Sequence, residues 1–132
     1  PLAEYEETNN TSLVLRVDFD ETAFLFTGDM EKKAENDLIA AGADLSADVL
    51  KVGHHGASTS STADFLAEVD PVCSVISVGE GNSYGHPTAA TLERLNGYGP
   101  VYRTDLLGEI RITTDGVSLW VESDNGEPEQ LL

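Results

Sequence analysis

Three observations in the amino-acid sequence predict an α/β layered domain. Short apolar segments typical of strands alternate with amphipathic segments typical of helices. Glycine or proline ends several of these segments, as expected where regular structure stops. The residues that could carry chemistry come directly after strands, where active sites gather in α/β sheets. The predicted order of elements is β-β-α-β-α-β-α-β-β-β.

The first two strands are predicted to form a hairpin. Residues 13–19 alternate apolar and polar side chains, which is typical of a half-buried strand. Asp20 and Glu21 make a turn into a second strand over residues 22–27. Residues 24–26 are Phe-Leu-Phe, and such a continuous apolar run predicts that the second strand is buried on both faces.

A helix is predicted next, over residues 30–41. Asp29 is a candidate cap at its start, and Gly42 ends it. Residues 48–52 form another short apolar strand. Lys51 in that strand is interpreted as pointing outward from a sheet edge, with neutralisation of a phosphate as the alternative.

The second half of the sequence continues the alternation. Its predicted elements are a helix over 62–69, a strand over 72–78, a helix over 88–96, a strand over 101–103 and a hairpin of 107–113 with 117–121. From Ser123 onward the chain is acidic and polar. The sequence is therefore divided into a domain over residues 1–122 and a linker or tail over residues 123–132.

The composition indicates one domain with a real core and an acidic surface. The chain has 132 residues, of which 40% are hydrophobic, and 24 acidic residues against 7 basic ones give a net charge of −17. Because the acids are scattered, they predict a solvated acidic shell of the kind that halophilic proteins carry, with an acidic protein from an ordinary salt environment as the alternative. At molar salt the Debye length is about 3 Å, so this charge does not exclude a nucleic-acid substrate. It does exclude a basic groove as the source of affinity.

The remaining compositional features are few. The single cysteine, Cys73, lies in an apolar run and is predicted to be buried and unpaired. No segment resembles a signal peptide or a membrane span. The chain begins at Pro1 without a methionine, which we interpret as a processed chain or a part of a longer one.

Four side chains with metal-ligating chemistry follow the predicted strands. The four residues are Asp29 and the three histidines of the chain, His54, His55 and His86. Imidazole nitrogen and carboxylate oxygen are the usual ligands of zinc and related ions, so strand ends at one sheet edge could bring these groups to a shared ion. The alternatives are that Asp29 is a helix cap, that the His-His pair lies on the surface, and that His86 is a turn residue before proline.

Other polar residues near these positions are candidates for substrate contact. Ser58 could hydrogen-bond a substrate phosphate or belong to a helix-capping loop, and Asn82 and Tyr84 flank His86. Asp105 could be a carboxylate that orients a histidine, or a turn residue.

The order and spacing of the motifs carry a resemblance. The motifs are Leu-Phe-Thr-Gly-Asp at 25–29, Ala-Asp-Val-Leu-Lys-Val-Gly-His-His-Gly at 47–56, Val-Ile-Ser-Val-Gly at 75–79, Asn-Ser-Tyr-Gly-His-Pro at 82–87, Tyr-Arg-Thr-Asp at 102–105 and Gly-Glu-Ile at 108–110. Over residues 9–113 the chain resembles the metallo-β-lactamase-fold hydrolase domain of ComEC-type DNA-uptake competence proteins and their stand-alone relatives.

The resemblance implies a fold and roles for the site residues. The fold is an αββα sandwich, of which this chain is the C-terminal half, a mixed sheet with helices on one side. The site of the complete domain holds two divalent metal ions, Zn or Mn. Asp29 bridges them, His55 is a ligand, His54 acts on the leaving group or the developing charge, and His86 is a further ligand or a substrate contact.

Two departures from the family's pattern matter. The signature His-x-His-x-Asp-His of the N-terminal half is absent, so that half is expected to precede Pro1, with a membrane-channel domain possible in a longer protein. Ala57 stands where the family usually has serine, and Ser58 follows it. The chain alone is therefore expected to bind metal weakly and to show little activity.

The sequence thus predicts a metal-dependent hydrolase, a phosphodiesterase or nuclease acting on DNA or another phosphodiester in DNA uptake or turnover. One alternative is a non-catalytic half-domain with a structural or binding role, and another is the same fold acting on a different ester or lactone. The expected location is extracytoplasmic or membrane-associated within a competence protein, and soluble otherwise.

Overall fold

A computed structural model of the chain describes residues 6–132. Its helices are α1 (Lys32–Ala40), α2 (Ala63–Val69), α3 (Ala89–Asn96) and the short α4 (Thr104–Leu107). Its strands are β1 (Leu15–Phe19), β2 (Thr22–Phe26), β3 (Val49–Lys51), β4 (Cys73–Ile76), β5 (Val101–Arg103), β6 (Ile110–Thr114), β7 (Leu119–Ser123) and β8 (Glu129–Gln130). The predicted α/β order is confirmed, with α4 and β8 added to it.

The main sheet is mixed and has five strands in the order β1-β2-β3-β4-β5. β1 and β2 form the predicted antiparallel hairpin, and β2, β3, β4 and β5 are parallel to one another. A second, antiparallel sheet contains β6, β7 and β8. Because β2, β3 and β4 run in the same direction, the segments that follow them leave the sheet at one edge.

The helices α1, α2 and α3 cover one face of the main sheet. The core on that face joins residues from the sheet and from all three helices: Leu25, Leu50, Ile76, Ala34, Phe65, Leu66, Val69 and Leu95. All but Ala34 are at most 1% exposed. A mixed sheet with helices packed on one side is therefore confirmed.

The opposite face of the hairpin is apolar and open. Leu15, Val17 and Phe19 of β1 are 50%, 43% and 50% exposed, and Phe26 of β2 is 43% exposed. These residues share one face, since Leu15 lies opposite Phe26 and Val17 opposite Phe24. The prediction of a half-buried first strand is wrong, and burial of the second strand on both faces does not extend to Phe26. The second sheet packs against Phe24 but leaves Phe26 and the apolar residues of β1 exposed.

Lys51 does not lie on an edge strand, contrary to the prediction. β3 is the central strand of the main sheet, and Lys51 stands between Phe26 of β2 and Val75 of β4. Its side chain lines an apolar groove of about 210 Å³ between the two sheets. The other lining residues are Phe24, Phe26, Val49, Val75, Ile110 and Ile112.

Three further features of the structure concern Cys73, the C-terminal residues and the length of the helices. Cys73 is buried, as predicted, and burial raises the pKa of its thiol to about 12. Glu129 and Gln130, in the predicted tail, pair with β7. Among residues 6–132, no helix is long and apolar enough to cross a membrane.

Candidate functional site

The segments that follow β2 and β3 are tied together at the edge of the main sheet. The backbone N–H of His54 donates to the carbonyl of Gly28 at 3.0 Å. The Oγ of Ser12 accepts a hydrogen bond from the backbone N–H of Asp29 at 3.1 Å. The Thr-Gly-Asp and His-His-Gly motifs are thus held side by side by backbone geometry.

The segment after β4 joins this edge through Gly56. Gly56 has φ of +81°, and a Cβ placed on it would lie 2.6 Å from Cβ of Pro87. The N–H of Thr88 also donates to the carbonyl of Gly56 at 3.0 Å. Glycine is required here because its missing side chain lets the His-Pro segment approach.

Asp29 and His55 face each other across the site. Oδ1 of Asp29 lies 3.6 Å from Nε2 of His55, and both side chains are about half exposed. Nδ1 of His55 lies 2.6 Å from the carbonyl oxygen of Ser77. Because a carbonyl only accepts, Nδ1 carries a proton and donates it, and in the neutral imidazole the Nε2 lone pair is then directed to the site. A hydrogen bond from one ring nitrogen to a carbonyl is the arrangement that orients a histidine whose other ring nitrogen binds a metal.

Asp29 is not the cap of α1. The residue at the N-cap position is Glu31, and α1 begins at Lys32. The capping interpretation of Asp29 is wrong because the chain makes an extra turn between Gly28 and Lys32. Its carboxylate is therefore available to the site.

His54 meets a carboxylate that the sequence analysis missed. Its Nδ1 lies 3.2 Å from Oε1 of Glu31, within ion-pair range, although the contact lacks hydrogen-bond geometry. The same Glu31 oxygen accepts a hydrogen bond from Nδ2 of Asn9 at 3.3 Å. Glu31 was assigned to the helix, and its position two residues after Asp29 was the available signal.

The backbone of the two adjacent histidines is unusual. His54 and His55 have φ of +49° and +55°, in the left-handed region. This conformation costs an L-residue about 1–2 kcal/mol each. Strain of this kind persists where the surrounding structure imposes it and clusters at functional sites. It turns the two neighbouring rings toward different partners, Glu31 for His54 and Asp29 for His55.

His86 completes the ring cluster. Its ring centroid lies 5.6 Å from that of His54 and 5.9 Å from that of Tyr84. Nδ1 of His86 is buried without a hydrogen-bond partner in the part of the chain that the structure describes. The carbonyl and N–H of His86 are both bonded to the side chain of Asn82.

Lys51 is electrostatically linked to this edge. Burial lowers the pKa of its ammonium group, and the negative charge of Asp29 acts in the opposite direction. Its Nζ donates to the carbonyl of Val52 at 3.1 Å. The charge of Asp29 thus partly offsets the effect of burial on Lys51.

Two candidates lie apart from the ring cluster. Ser58 is exposed in the turn after Ala57, and among the described residues it makes no hydrogen bond to Asp29 or the histidines. Asp105 does not orient a histidine: its carboxylate binds Arg103 through two contacts of 3.0 and 2.6 Å. The Arg103 guanidinium holds the pKa of Asp105 below its usual value.

A buried carboxylate secures the chain just beyond the His-His-Gly turn. Glu35 of α1 is 1% exposed and accepts hydrogen bonds from the N–H groups of Ser61 and Thr62 and from the Thr62 hydroxyl. Arg94 of α3 donates to the carbonyls of Ser60 and Ser61. These contacts fix the start of α2 relative to the site.

Replacement of Glu35 by alanine is expected to lower the free energy of unfolding by about 3 kcal/mol, because it leaves three donors without their acceptor. Urea unfolding of the purified chain at high salt measures the change. The control is Glu68→Ala on the exposed surface of α2, for which a change of less than about 0.5 kcal/mol is expected. Equal midpoints for the two variants would show that Glu35 does not hold this segment.

The described residues bring two predicted metal ligands together, not a complete set. Among residues 6–132, no three His, Cys, Asp or Glu side chains form a group that could hold a metal ion. The Asp29–His55 pair is nevertheless chemically suited to one, with an oriented imidazole and a free carboxylate at the same edge. These residues fit a part of a metal site.

The fold and site define a class: an α/β protein with an Asp and His cluster where parallel strands end. Comparisons with known proteins narrow this class. The chain is 38% identical over 104 residues to ComE operon protein 3 of Bacillus subtilis and 42% identical over 107 residues to competence protein ComA of Neisseria gonorrhoeae. It is also 38% identical over 105 residues to recombination protein 2 of Haemophilus influenzae. These similarities support a ComEC-type competence family.

The similarity covers most of this chain and a small part of each relative. The matched regions are 78%, 80% and 79% of the chain but only 13%, 16% and 13% of the three relatives. No family model matches the chain. The chain is thus similar to one segment of much longer competence proteins.

Proposed function

We propose that this chain is the C-terminal half of a metallo-β-lactamase-fold hydrolase domain that cleaves phosphodiester bonds in DNA uptake or turnover. The observation that carries the proposal is the Asp29–His55 pair. The two side chains come from the ends of neighbouring parallel strands and lie 3.6 Å apart, and Ser77 directs the His55 lone pair toward the site. The similarity to competence proteins supports the same context.

Each residue of the cluster has a role that its surroundings support. Asp29 and His55 are the ligands that this chain supplies to a pair of Zn or Mn ions. His54, beside Glu31, is placed to hold or release a proton at the leaving group. His86 stands next to His54 as a further ligand or a substrate contact. Asn82 holds the Gly-rich loop in place, and Tyr84 is exposed on it.

Two such metal ions, held in part by Asp29 and His55, would supply activation of a water molecule at neutral pH and neutralisation of charge on the phosphate oxygens. The chain's own contribution is to position its ligands on a rigid sheet edge. Lys51 lines the groove between the sheets, and the negative charge of Asp29 favours its protonated form. A phosphate bound there would gain a cation in a chain that is otherwise strongly acidic.

The open face of the main sheet supports the proposal that the other half of the domain packs against it. Leu15, Val17, Phe19 and Phe26 leave an exposed apolar surface on the side away from the helices. Large exposed apolar surfaces mark places where another layer packs. We propose that the segment carrying the His-x-His-x-Asp-His signature covers this face and supplies the remaining metal ligands.

The chain alone is expected to bind metal weakly and to show little activity, because it supplies too few ligands. The test compares this chain with the complete protein at molar salt. Both are stripped of metal, and Mn²⁺ or Zn²⁺ is restored during assays on DNA and on a model phosphodiester. The proposal predicts metal-dependent cleavage by the complete protein and at least about a hundredfold less by the chain. Absence of cleavage by the complete protein under every metal condition would contradict it.

A non-catalytic half-domain with a structural or binding role is the second candidate. The observation that favours it is the lack of a three-ligand group within residues 6–132. The two candidates differ in the segment that precedes the chain in its full-length protein. If neither that segment nor a partner chain contains the signature, the hydrolase is excluded and the binding role remains.

A further inference from the structure

Tyr84 is a large aromatic side chain held out in solvent. It is 81% exposed, on the loop that joins β4 to α3. Its ring stacks on that of His86, with an interplanar angle of 11° and a centroid distance of 5.9 Å. The His86 ring in turn lies 5.6 Å from His54, so the rings form a row that leads from solvent to the site.

The loop that carries Tyr84 is fixed by one side chain. Nδ2 of Asn82 donates to the carbonyls of His86 at 2.7 Å and Gly79 at 3.2 Å. Oδ1 of Asn82 accepts from the N–H groups of Tyr84 at 3.1 Å and His86 at 3.2 Å. The exposed position of Tyr84 is therefore built into the loop, since its own backbone and that of its stacking partner share one anchor.

The base of the loop is fixed as well. The hydroxyl of Thr104 donates to the carbonyl of Val78 at 2.9 Å and accepts from its N–H at 2.8 Å. The loop thus starts from a fixed point at the end of β4. Ordered loops that present an aromatic ring to solvent are typical of binding surfaces.

The charge of the chain limits what such a ring can bind. With a net charge of −17, affinity for a nucleic acid cannot come from a basic surface. Stacking of an unpaired base on an aromatic ring needs no charge and tolerates any base. The row of rings ends at His54, so a base stacked on Tyr84 would lie beside the site.

We propose that Tyr84 is a base-stacking subsite that takes an unpaired nucleobase of the substrate, beside the sheet edge that carries Asp29 and His55. The inference rests on the proposed function and adds a substrate class to it: a nucleic acid with an unstacked base. His86 supports the ring from behind, and Asn82 is the positioning residue of the subsite.

The test measures binding of a fluorescein-labelled single-stranded oligonucleotide by anisotropy. The complete protein is used at molar salt with EDTA, so that no cleavage occurs. Tyr84→Ala is expected to raise Kd about 5- to 100-fold, and Tyr84→Phe about twofold or less, because the ring and not the hydroxyl stacks. Leu106→Ala, at another exposed apolar residue (63% exposed), is the matched control and should leave Kd unchanged.

An oligonucleotide of the same length with abasic sites completes the test. With no bases to stack, wild type and Tyr84→Ala should bind it equally. Unchanged Kd for Tyr84→Ala on the normal oligonucleotide, an equal loss on the abasic one, or no binding by wild type would overturn the subsite. Metal-dependent cleavage of the normal oligonucleotide, at a concentration well above its Kd, tests the hydrolase separately: its absence, together with Tyr84-dependent binding, would remove the hydrolase and leave the subsite.

Discussion

Replacement of Asp29 by alanine in the complete domain should abolish metal-dependent phosphodiester cleavage, with a loss of about a thousandfold or more. Asp29 is the carboxylate that faces the oriented Nε2 of His55 at 3.6 Å. Without it, the edge of the sheet retains one predicted ligand of the pair. Initial rates on a model phosphodiester at saturating Mn²⁺ measure the effect.

The variant should remain folded, since Asp29 is about half exposed and does not cap α1. Circular dichroism and the melting temperature check this. Asp64→Ala is the matched control, because it removes an exposed carboxylate from the start of α2, away from the sheet edge. Its rate should equal that of wild type. Wild-type turnover in Asp29→Ala would remove Asp29 from the site.

Replacement of Gly56 by alanine should destabilise the chain by about 2–5 kcal/mol. Two effects combine. The left-handed φ of +81° disfavours any side chain, and the new Cβ would lie 2.6 Å from Cβ and 3.1 Å from Cα of Pro87. Since Pro87 follows His86, relief of the contact would also displace the histidine from the ring cluster. Urea unfolding measures the stability, and the cleavage rate of the complete domain measures the displacement.

Gly42→Ala separates the two effects. Gly42 also has a left-handed φ, +69°, but a Cβ there would meet nothing within 4 Å. Its loss should be about 1–2 kcal/mol, from the backbone conformation alone. A similar loss in both variants would show that Gly56 matters only for its φ, and that the approach of Pro87 can relax without cost.

The sequence was informative where local pattern and global fold agree. The hairpin of β1 and β2 and the position of each motif at a strand end could be predicted from apolar runs and turn residues. The parallel order of β2, β3 and β4 then brings the motifs to one edge. The hairpin and the position of each motif depend on residues that are neighbours in the sequence, so the sequence alone was enough to predict them.

The errors concern what only tertiary structure decides. Lys51 was assigned to an edge strand because strand order is not encoded in a three-residue segment, yet β3 is central. Burial of Phe26 was predicted from an apolar run, but Phe26 is 43% exposed because no part of residues 6–132 covers it fully. Glu31 was missed because its partner, His54, is distant in sequence and takes a left-handed conformation that no pattern indicates.

The most direct measurement of the central claim is the metal content of the complete domain, determined by mass spectrometry after equilibration with Zn²⁺ or Mn²⁺ at molar salt. Two ions per wild-type domain are expected, and fewer in Asp29→Ala and in His55→Ala at unchanged secondary structure. Wild-type protein that retains no metal, or variants that retain the full two ions, would contradict the placement of the site at this edge of the sheet.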